Sequence, residues 1–146
     1  MKTIYKQVAQ QLKTEVPALR WIDFDTGQLE SSERPPVAFP CALITISVQS
    51  AKDITDTIQE CTGIVRIRLA FDQQMKTDMA TPPQYRDTAL QPYDTIADVH
   101  KALQGYSTEH FDPLSRVRQN KENSRHGLFI YSMEYKVEFD DETADQ

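Results

Sequence analysis

The sequence predicts an α+β fold: a mainly antiparallel sheet of about four strands with two helices packed on one face. Two segments, 3–16 and 81–105, carry apolar residues at the spacing of amphipathic helices. Four other segments have the two-residue apolar period or the β-branched composition of strands, and they follow one another in two pairs. Two strand pairs and two helices most simply form one antiparallel sheet with both helices on one face.

Length and composition indicate one domain. With 146 residues, of which 39% are hydrophobic, the chain can bury a core without a disulfide or a structural metal. We assign residues 1–139 to a single α+β domain and 140–146 to an acidic, flexible C-terminal tail. No segment approaches the ~20 apolar residues of a membrane span, and the N-terminus lacks a signal peptide's apolar block, so we expect cytoplasmic synthesis and no membrane partner.

The first helix is predicted from a single apolar stripe. This stripe consists of Ile4, Val8, Leu12 and Val16. Thr3 is placed to cap the start of the helix, and Pro17 marks its end. The following stretch, "LRWIDFDTGQL", predicts a short strand or extended arm that ends at Gly27. We interpret its aspartates as solvated, because the stretch lacks the dense, regular oxygen ligands of a calcium loop.

The first pair of main strands is "VAFPCALITISV" followed by "TGIVRIRLAFD". Pro40 cannot donate a ladder hydrogen bond, so we expect the first of these strands to begin at a sheet edge or bulge. The second strand alternates apolar residues with Arg66 and Arg68, which gives it a cationic outer face. The polar connection between them, residues 49–61, is longer than a tight hairpin requires, and long loops are often functional.

Cys41 and Cys61 belong to these two strands and are predicted to be free thiols. They have no metal-like spacing. A hairpin centred near residue 55 would place each cysteine opposite a residue well removed from the other, so a bridge would require a slipped register.

A second exposed connection is predicted at residues 73–81, and a long helix follows it. Thr81, Pro82 and Gln84 resemble a capping box, and the helix is expected to run to Gly105. Its apolar stripe consists of Tyr85, Ala89, Tyr93, Ile96, His100 and Leu103.

The second pair of strands is "LSRVRQNKE" followed by "GLFIYSMEYKVEFDDE". In the last strand, aromatic and apolar side chains recur at every second position, which predicts one buried and one solvated side. The buried set is Phe129, Tyr131, Met133, Tyr135, Val137 and Phe139. Strands usually run about 5–6 residues, so a run of about twice that length indicates that part of it reaches past its own core toward another molecule.

The sheet face away from the helices is therefore the predicted contact surface. It combines arginines from two strands, acidic residues from the last strand and two apolar residues at that strand's start. The candidate interface residues are Arg66, Arg68, Arg116, Arg118, Leu128, Ile130, Glu134 and Glu138. Such a mixed face suits either solvent or a neighbouring subunit, and arginine is the cation best suited to forked contacts with carboxylates.

One spacing suggests an enzyme. In Glu134-Tyr135-Lys136 a strand places the acid and the amine side by side, as in metal-dependent nucleases of the restriction-endonuclease type. Such a site needs another acidic residue, and the nearest candidates, Asp112 and Glu122, are poorly placed. A charged strand face is the better interpretation, and a small metal-dependent nuclease stays as the enzyme alternative.

No other pattern indicates catalysis or a cofactor. The histidines, His100, His110 and His126, share no metal-ligand spacing. Four glycines in the whole chain leave no phosphate-cradling loop, and no serine or cysteine lies in a nucleophile-elbow pattern. We therefore predict no catalytic residue, no cofactor and no metal. The net charge of −6 also disfavours tight DNA binding.

The element order carries a family resemblance. An N-terminal helix, "WIDFDTGQL", "RPPVAFPCALI", "RLAFD", "ALQPYDTIADVHKALQG" and a long closing strand ending in "EFDD" resemble the small tail-completion or tail-terminator proteins of long-tailed phages and prophages. The likeness spans most of the chain. It lies in non-catalytic segments, so no catalytic residue is carried over.

The resemblance implies a structural role in the virion tail, for a protein made in the cytoplasm of a host bacterium. Such proteins are α+β subunits that close into a ring, commonly six-fold, on the last ring of the tail tube. The ring stops tube polymerisation and presents a surface to the head-tail connector, and DNA passes through without specific binding. The candidate interface would then contact a neighbouring subunit or the tube protein. Another connector or neck protein would share the fold type and is the main alternative.

Overall fold

The computed structural model describes residues 1–73, 77–124 and 126–145, and it confirms the α+β prediction. The described residues form three helices and one five-stranded sheet with the order β1-β2-β3-β5-β4. The helices are α1 (Lys2–Glu15), α2 (Pro83–Ala89) and α3 (Gln91–Leu103). The strands are β1 (Trp21–Phe24), β2 (Cys41–Asp53), β3 (Gln59–Phe71), β4 (Ser115–Glu122) and β5 (Phe129–Asp141). Short 3-10 turns occur at Gln28–Glu30 and Thr143–Asp145.

The main core lies between the sheet and the helices α1 and α3. The four residues of the predicted stripe, three within α1 and one at its C-cap, are all at most 2% exposed: Ile4, Val8, Leu12 and Val16. They pack with the helix-side residues of the three long strands, which confirms the predicted stripe. The predicted cap is wrong, because the helix begins at Lys2 and Thr3 lies within its first turn, with no side-chain cap.

The arm after α1 is a true strand, and it makes the sheet mixed. Trp21–Phe24 pairs with Cys41–Ile44 in parallel, whereas every other strand pair is antiparallel. The prediction of a short strand or extended arm is thus confirmed as a strand, which ends at Phe24 rather than at Gly27 and adds a fifth strand to the sheet. A parallel neighbour requires a crossover, and residues 25–40 supply it by passing over the sheet face away from α1 and α3.

Pro40 is not at a sheet edge. β2 lies between β1 and β3, and its first residue is Cys41, so proline's missing N–H leaves no gap in the ladder. The carbonyl of Pro40 accepts a hydrogen bond from the Arg20 N–H at 2.8 Å, just before β1 begins. The prediction of a sheet edge or bulge at Pro40 is therefore wrong, because Pro40 directly precedes the first residue of an interior strand.

The connection between β2 and β3 is mostly strand rather than loop. Pairing continues to Asp53 opposite Gln59, which leaves a turn of residues 54–58 in place of the predicted loop 49–61. A bulge separates Val48 from Ser50. Gly63 lies opposite it, and a Cβ there would come within 2.4 Å of the Ser47 carbonyl oxygen. The ladder therefore requires a glycine at this close approach.

The predicted second helix is two helices that meet at Leu90. Pro92 cannot donate a backbone hydrogen bond and is tolerated only in a first turn, so α3 restarts just ahead of it. The capping box does not form, because the Thr81 hydroxyl donates to Asp78 instead. Ala89, Ile96 and Leu103 of the predicted stripe are buried, whereas Tyr85 and Tyr93 are largely exposed. Residues 74–76 of the predicted connection 73–81 lie outside the described residues.

The alternation of β5 is confirmed. Phe129, Met133, Tyr135, Val137 and Phe139 are buried on the helix side, and Tyr131 packs partly against them. This strand is long mainly because its own core is long, since only its last two residues extend beyond the buried set. These two residues, in the acidic segment, pair with Gln59 and Glu60 at the base of the β2–β3 turn.

Both cysteines are free, as predicted. Cys41 pairs with Ala70 and lies on the sheet face away from the helices, whereas Cys61 pairs with Ala51 and lies in the helix-side core. Burial raises the pKa of Cys41 to about 11 and also raises the pKa of Cys61. Thiols with raised pKa values in apolar surroundings are poor nucleophiles.

Candidate interface on the outer sheet face

The outer face, meaning the sheet face away from α1 and α3, has two parts. The covered half lies beneath residues 25–40, whose apolar side chains form a small second core on it. That core contains Leu29, Cys41, Leu43, Ala70, Leu128 and Ile130, with Val37 and Phe39 packed against it. The bare half lies toward the β2–β3 turn and carries Ile64, Arg66, Arg118, Glu134, Lys136 and Glu138.

Leu128 and Ile130 of the candidate interface belong to the covered half. They are 6% and 1% exposed, and residues of the crossing segment pack against them. Burial of an isoleucine side chain contributes roughly 1.5–3 kcal/mol. These two residues therefore act within the subunit.

Arg68 is the centre of a charge cluster at the edge of the covered half. It is 5% exposed, and its Nε and Nη2 donate to the two carboxylate oxygens of Glu122 at 3.0 and 3.1 Å. Its Nη1 donates to Asp25 at 3.2 Å and lies 2.6 Å from a Glu30 carboxylate oxygen. Burial alone would lower the pKa of Arg68, but Glu122, Asp25 and Glu30 together raise it, so the guanidinium stays charged.

This cluster joins both ends of the sheet order. Asp25 follows β1 and Glu122 ends β4, while Arg68 lies on β3 between them. The side chain of Arg68 crosses β5 at Ser132, its ladder partner, which is small and 6% exposed. No sequence pattern indicates this arrangement, because Arg68 and Glu122 are both far along the chain from Asp25 and Glu30. The prediction of a solvated Asp25 is wrong, since its side chain is 7% exposed.

The bare half holds a looser set of ion pairs. Arg118 Nε lies 3.9 Å from a Glu134 carboxylate oxygen, and the Arg118 side chain is 69% exposed. Arg66 lies opposite Glu134 in the ladder and reaches Asp25 at 3.5 Å. The Nε of Arg66 is buried and has no hydrogen-bond partner among the described residues. A partly exposed pair such as Arg118–Glu134 contributes only about 0–1 kcal/mol, so these two side chains remain available for a partner.

Glu138 completes the bare half nearer the turn. Its carboxylate oxygen Oε1 lies 2.8 Å from Lys136 Nζ, and both side chains are partly exposed. The interface role of Arg66, Arg118, Glu134 and Glu138 stays a prediction, now with the geometry of a partly exposed charged strand face.

Arg116 does not lie on the outer face. β4 has a bulge between Arg116 and Arg118, so Arg118 pairs with Glu134 while Arg116 pairs with the core residue Tyr135. A bulge inserts one extra residue and reverses the side to which the following side chains point. The prediction that both arginines share one face is wrong for this reason.

On the helix side, the positive charge of Arg116 influences the pKa of His100. His100 Nδ1 lies 3.0 Å from the hydroxyl of Tyr135, the ladder partner of Arg116. Burial lowers the pKa of His100, and the positive charge of Arg116 lowers it further. Burial also raises the pKa of Tyr135. The imidazole is therefore neutral at neutral pH.

The nuclease geometry predicted as an alternative does not assemble around Glu134. Glu134 lies between its ladder partners Arg66 and Arg118, its carboxylate is 3.9 Å from Arg118 Nε, and Glu122 is bound to Arg68. The backbone N–H of Asp112 bonds to the carbonyl of Glu138. Within residues 1–73, 77–124 and 126–145, no group of three or more His, Cys, Asp or Glu side chains has a metal-binding arrangement.

Comparison with known proteins identifies a shared fold. No protein-family model matches the chain, and no curated protein matches it. The structure is similar to a chain in a solved structure described as the virion of a native gene transfer agent (GTA) particle. The TM-score is 0.58 at 14% sequence identity, and the match covers 92% of each chain. This chain shares the fold of that virion chain.

None of the described helices is long and apolar enough to cross a bilayer.

Proposed function

We propose that the protein is a structural component of a phage-like virion. The observation that carries this proposal is the fold shared with a chain of the gene transfer agent virion over 92% of both chains. The sequence resemblance to phage tail-completion proteins points to the same class of particle.

Within that class, we propose a tail terminator. The subunit would close into a ring, commonly six-fold, on the last ring of the tail tube, halt polymerisation of the tube protein and present a surface to the head-tail connector. The bare half of the outer face supports this role, because Arg118, Glu134 and Glu138 form only partly exposed pairs within the subunit and 41% of the Arg66 side chain is exposed. The contacts they make to a neighbouring subunit or to the tube protein would add electrostatic specificity.

The same proposal gives the protein no catalytic activity, metal or cofactor. It places the protein in the virion tail after synthesis in a bacterial host. The net charge of −6 suits a conduit in which DNA slides without specific binding.

The test measures how the protein affects the assembly of tail tubes from purified tube protein. The protein is added to the tube protein during polymerisation, and tail lengths are measured by negative-stain electron microscopy, with the mass of the free protein followed by light scattering. A terminator narrows the length distribution and is found as a ring at one end of each tube. A neck or connector protein would instead leave tube length unchanged and bind only when the head connector is present.

The nuclease alternative has a separate test. Plasmid DNA is incubated with the protein and Mg²⁺ or Mn²⁺, alongside Glu134→Ala. Metal-stimulated cleavage that is lost in Glu134→Ala would contradict the structural proposal.

A further inference from the structure

The two ends of the long strands have complementary surfaces. At one end, where β2 begins and β3 ends, a groove of about 760 Å³ opens between the crossing segment and the start of α3. Its apolar lining includes Val37, Phe39, Phe71 and Pro92. We call this cavity the groove.

The groove also carries positive charge. Arg20 and Arg34 line it together with Asp72. Arg34 is paired with Asp72, but its side chain is 54% exposed, and its guanidinium lies 5.5 Å from the centre of the Phe39 ring. Arg20 has no ion-pair partner within the described residues. The Oε1 atom of Gln73, also in the lining, is buried and accepts no hydrogen bond from a described residue.

At the other end, the β2–β3 turn projects an apolar side chain flanked by acids. Ile54 is 53% exposed. Residues 53–60 contain three acidic residues and no basic one. We call residues 53–58 the tip.

The tip is ordered by its own hydrogen bonds. The Ile54 N–H bonds to the Ile58 carbonyl at 2.8 Å, and the Thr55 hydroxyl accepts from the N–H groups of Thr57 and Ile58. Asp56 has no ion-pair partner among the described residues. A preorganised turn that exposes an isoleucine and the Asp56 carboxylate loses little conformational entropy on binding.

We propose that the tip of one copy of this chain docks into the groove of the next copy. Ile54 would enter the apolar part of the groove, and Asp53 and Asp56 would face Arg20 and Arg34. This inference rests on the proposed function, since it names the contact that would close the ring.

The placement of the two surfaces favours a second copy of the chain as the occupant. They lie at opposite ends of β2, which has 13 residues and so spans roughly 40 Å. One subunit therefore cannot satisfy its own groove. Two different surfaces that meet between copies make a heterologous contact, which closes into a ring when the rotation allows.

The experiment uses one variant for each surface. Ile54→Asp breaks the tip and Arg20→Glu breaks the groove, and both residues are exposed, so thermal melting of the monomer should stay unchanged. Each variant alone should be monomeric by sedimentation or light scattering where the wild type associates, with the dissociation constant raised roughly 30-fold or more. Mixed, they should form a one-to-one dimer and nothing larger, because only one intact tip meets only one intact groove.

Lys13→Glu is the control, since it makes a comparable charge reversal at an exposed position of α1 outside both surfaces and should assemble as the wild type does. Rings that persist in Ile54→Asp and Arg20→Glu would overturn the tip contact and leave the proposed ring standing. A mixture that stays monomeric, or that forms rings, would overturn the head-to-tail pairing. A wild-type chain that never associates, alone or on tube ends, would overturn both proposals.

Discussion

The covered half of the outer face holds Arg68 among three carboxylates at 5% exposure, whereas the bare half holds Arg118 beside one carboxylate with 69% of its side chain exposed. Both arginines come from strands with a similar alternation of charge. The difference is the crossing segment, residues 25–40, which supplies Asp25 and Glu30 and excludes water from one half only. Coverage therefore decides whether an arginine stabilises the subunit or remains available to a partner.

Ion pairs in the two halves also differ in how much they contribute to the free energy of unfolding. In the covered half, Arg68 is shielded and forms a bidentate pair with Glu122, so removal of Arg68 takes the fork from Glu122 and a cation from the buried Asp25. In the bare half, solvent and salt screen the pair between Arg118 and Glu134. The substitutions below test this difference, in order of their expected effect on the fold.

Arg68→Ala is expected to have the largest effect. It leaves Asp25 buried beside unfilled space and Glu122 without its fork, which should lower the free energy of unfolding by about 3–5 kcal/mol. Arg118→Ala is the matched control and should cost about 0–1 kcal/mol. Urea denaturation of both variants measures the difference. Equal losses would mean that the crossing segment does not shield Arg68.

Ile130→Ala tests the apolar part of the covered half. Ile130 is 1% exposed, so the substitution should leave a cavity and cost about 2–4 kcal/mol. Ile64 is the matched control, because it lies on the same face but in the bare half and is only partly buried. Ile64→Ala should cost about 1 kcal/mol. If Ile64→Ala were the more destabilising of the two in urea denaturation, the two halves would have been assigned the wrong way round.

Arg118→Glu should change the fold little and assembly more. The free energy of unfolding should move by about 1 kcal/mol or less, while ring formation and tail completion weaken if the bare half contacts another subunit or the tube. Lys13→Glu, the same charge change on an exposed position of α1, should affect neither.

The double variant Arg118→Glu with Glu134→Arg separates two explanations of such a defect. It restores the pair inside the subunit but not a contact to a neighbour, so assembly is expected to stay weakened. Normal assembly by Arg118→Glu alone, with tails of normal length, would show that the bare half is a solvated strand face.

Periodicity predicted the parts of the fold that repeat. The stripe of α1 and the alternation of β5 are regular, and each marks a face that packs against the main core. The strand β1 was recognised only as a short strand or arm, because four residues carry too little pattern to show that they pair in parallel with β2.

The covered half was beyond prediction for a different reason. Leu29, Val37 and Phe39 occur at irregular spacings in a segment rich in proline and polar residues, so nothing in their order indicates that they share a small core. The phase of β4 was likewise hidden, because a bulge has no signature in "SRVRQ". The sequence therefore indicates which residues lie on the strands. Whether those residues are exposed depends on residues 25–40 and on the β4 bulge, which have no regular pattern.

The smallest expected effect tests that bulge directly. If Arg116 faces α3, Arg116→Gln removes one of the two causes that lower the pKa of His100, so this pKa should rise toward the ordinary value of about 6.5 while burial still holds it below. Arg118→Gln, across the bulge on the other face, should leave it unchanged. NMR titration of the His100 ring protons measures both.

The sign of the accompanying stability change follows from linkage. Because the pKa of His100 is lower in the folded protein, its contribution is fully present above about pH 6.5 and is lost as the pH falls through the folded-state pKa, where the unfolded chain binds more protons. Arg116→Gln should make this loss on acidification smaller, and His100→Gln should abolish it. An unchanged pKa of His100 in Arg116→Gln would place Arg116 on the outer face after all, beside Arg118, and would return it to the candidate interface.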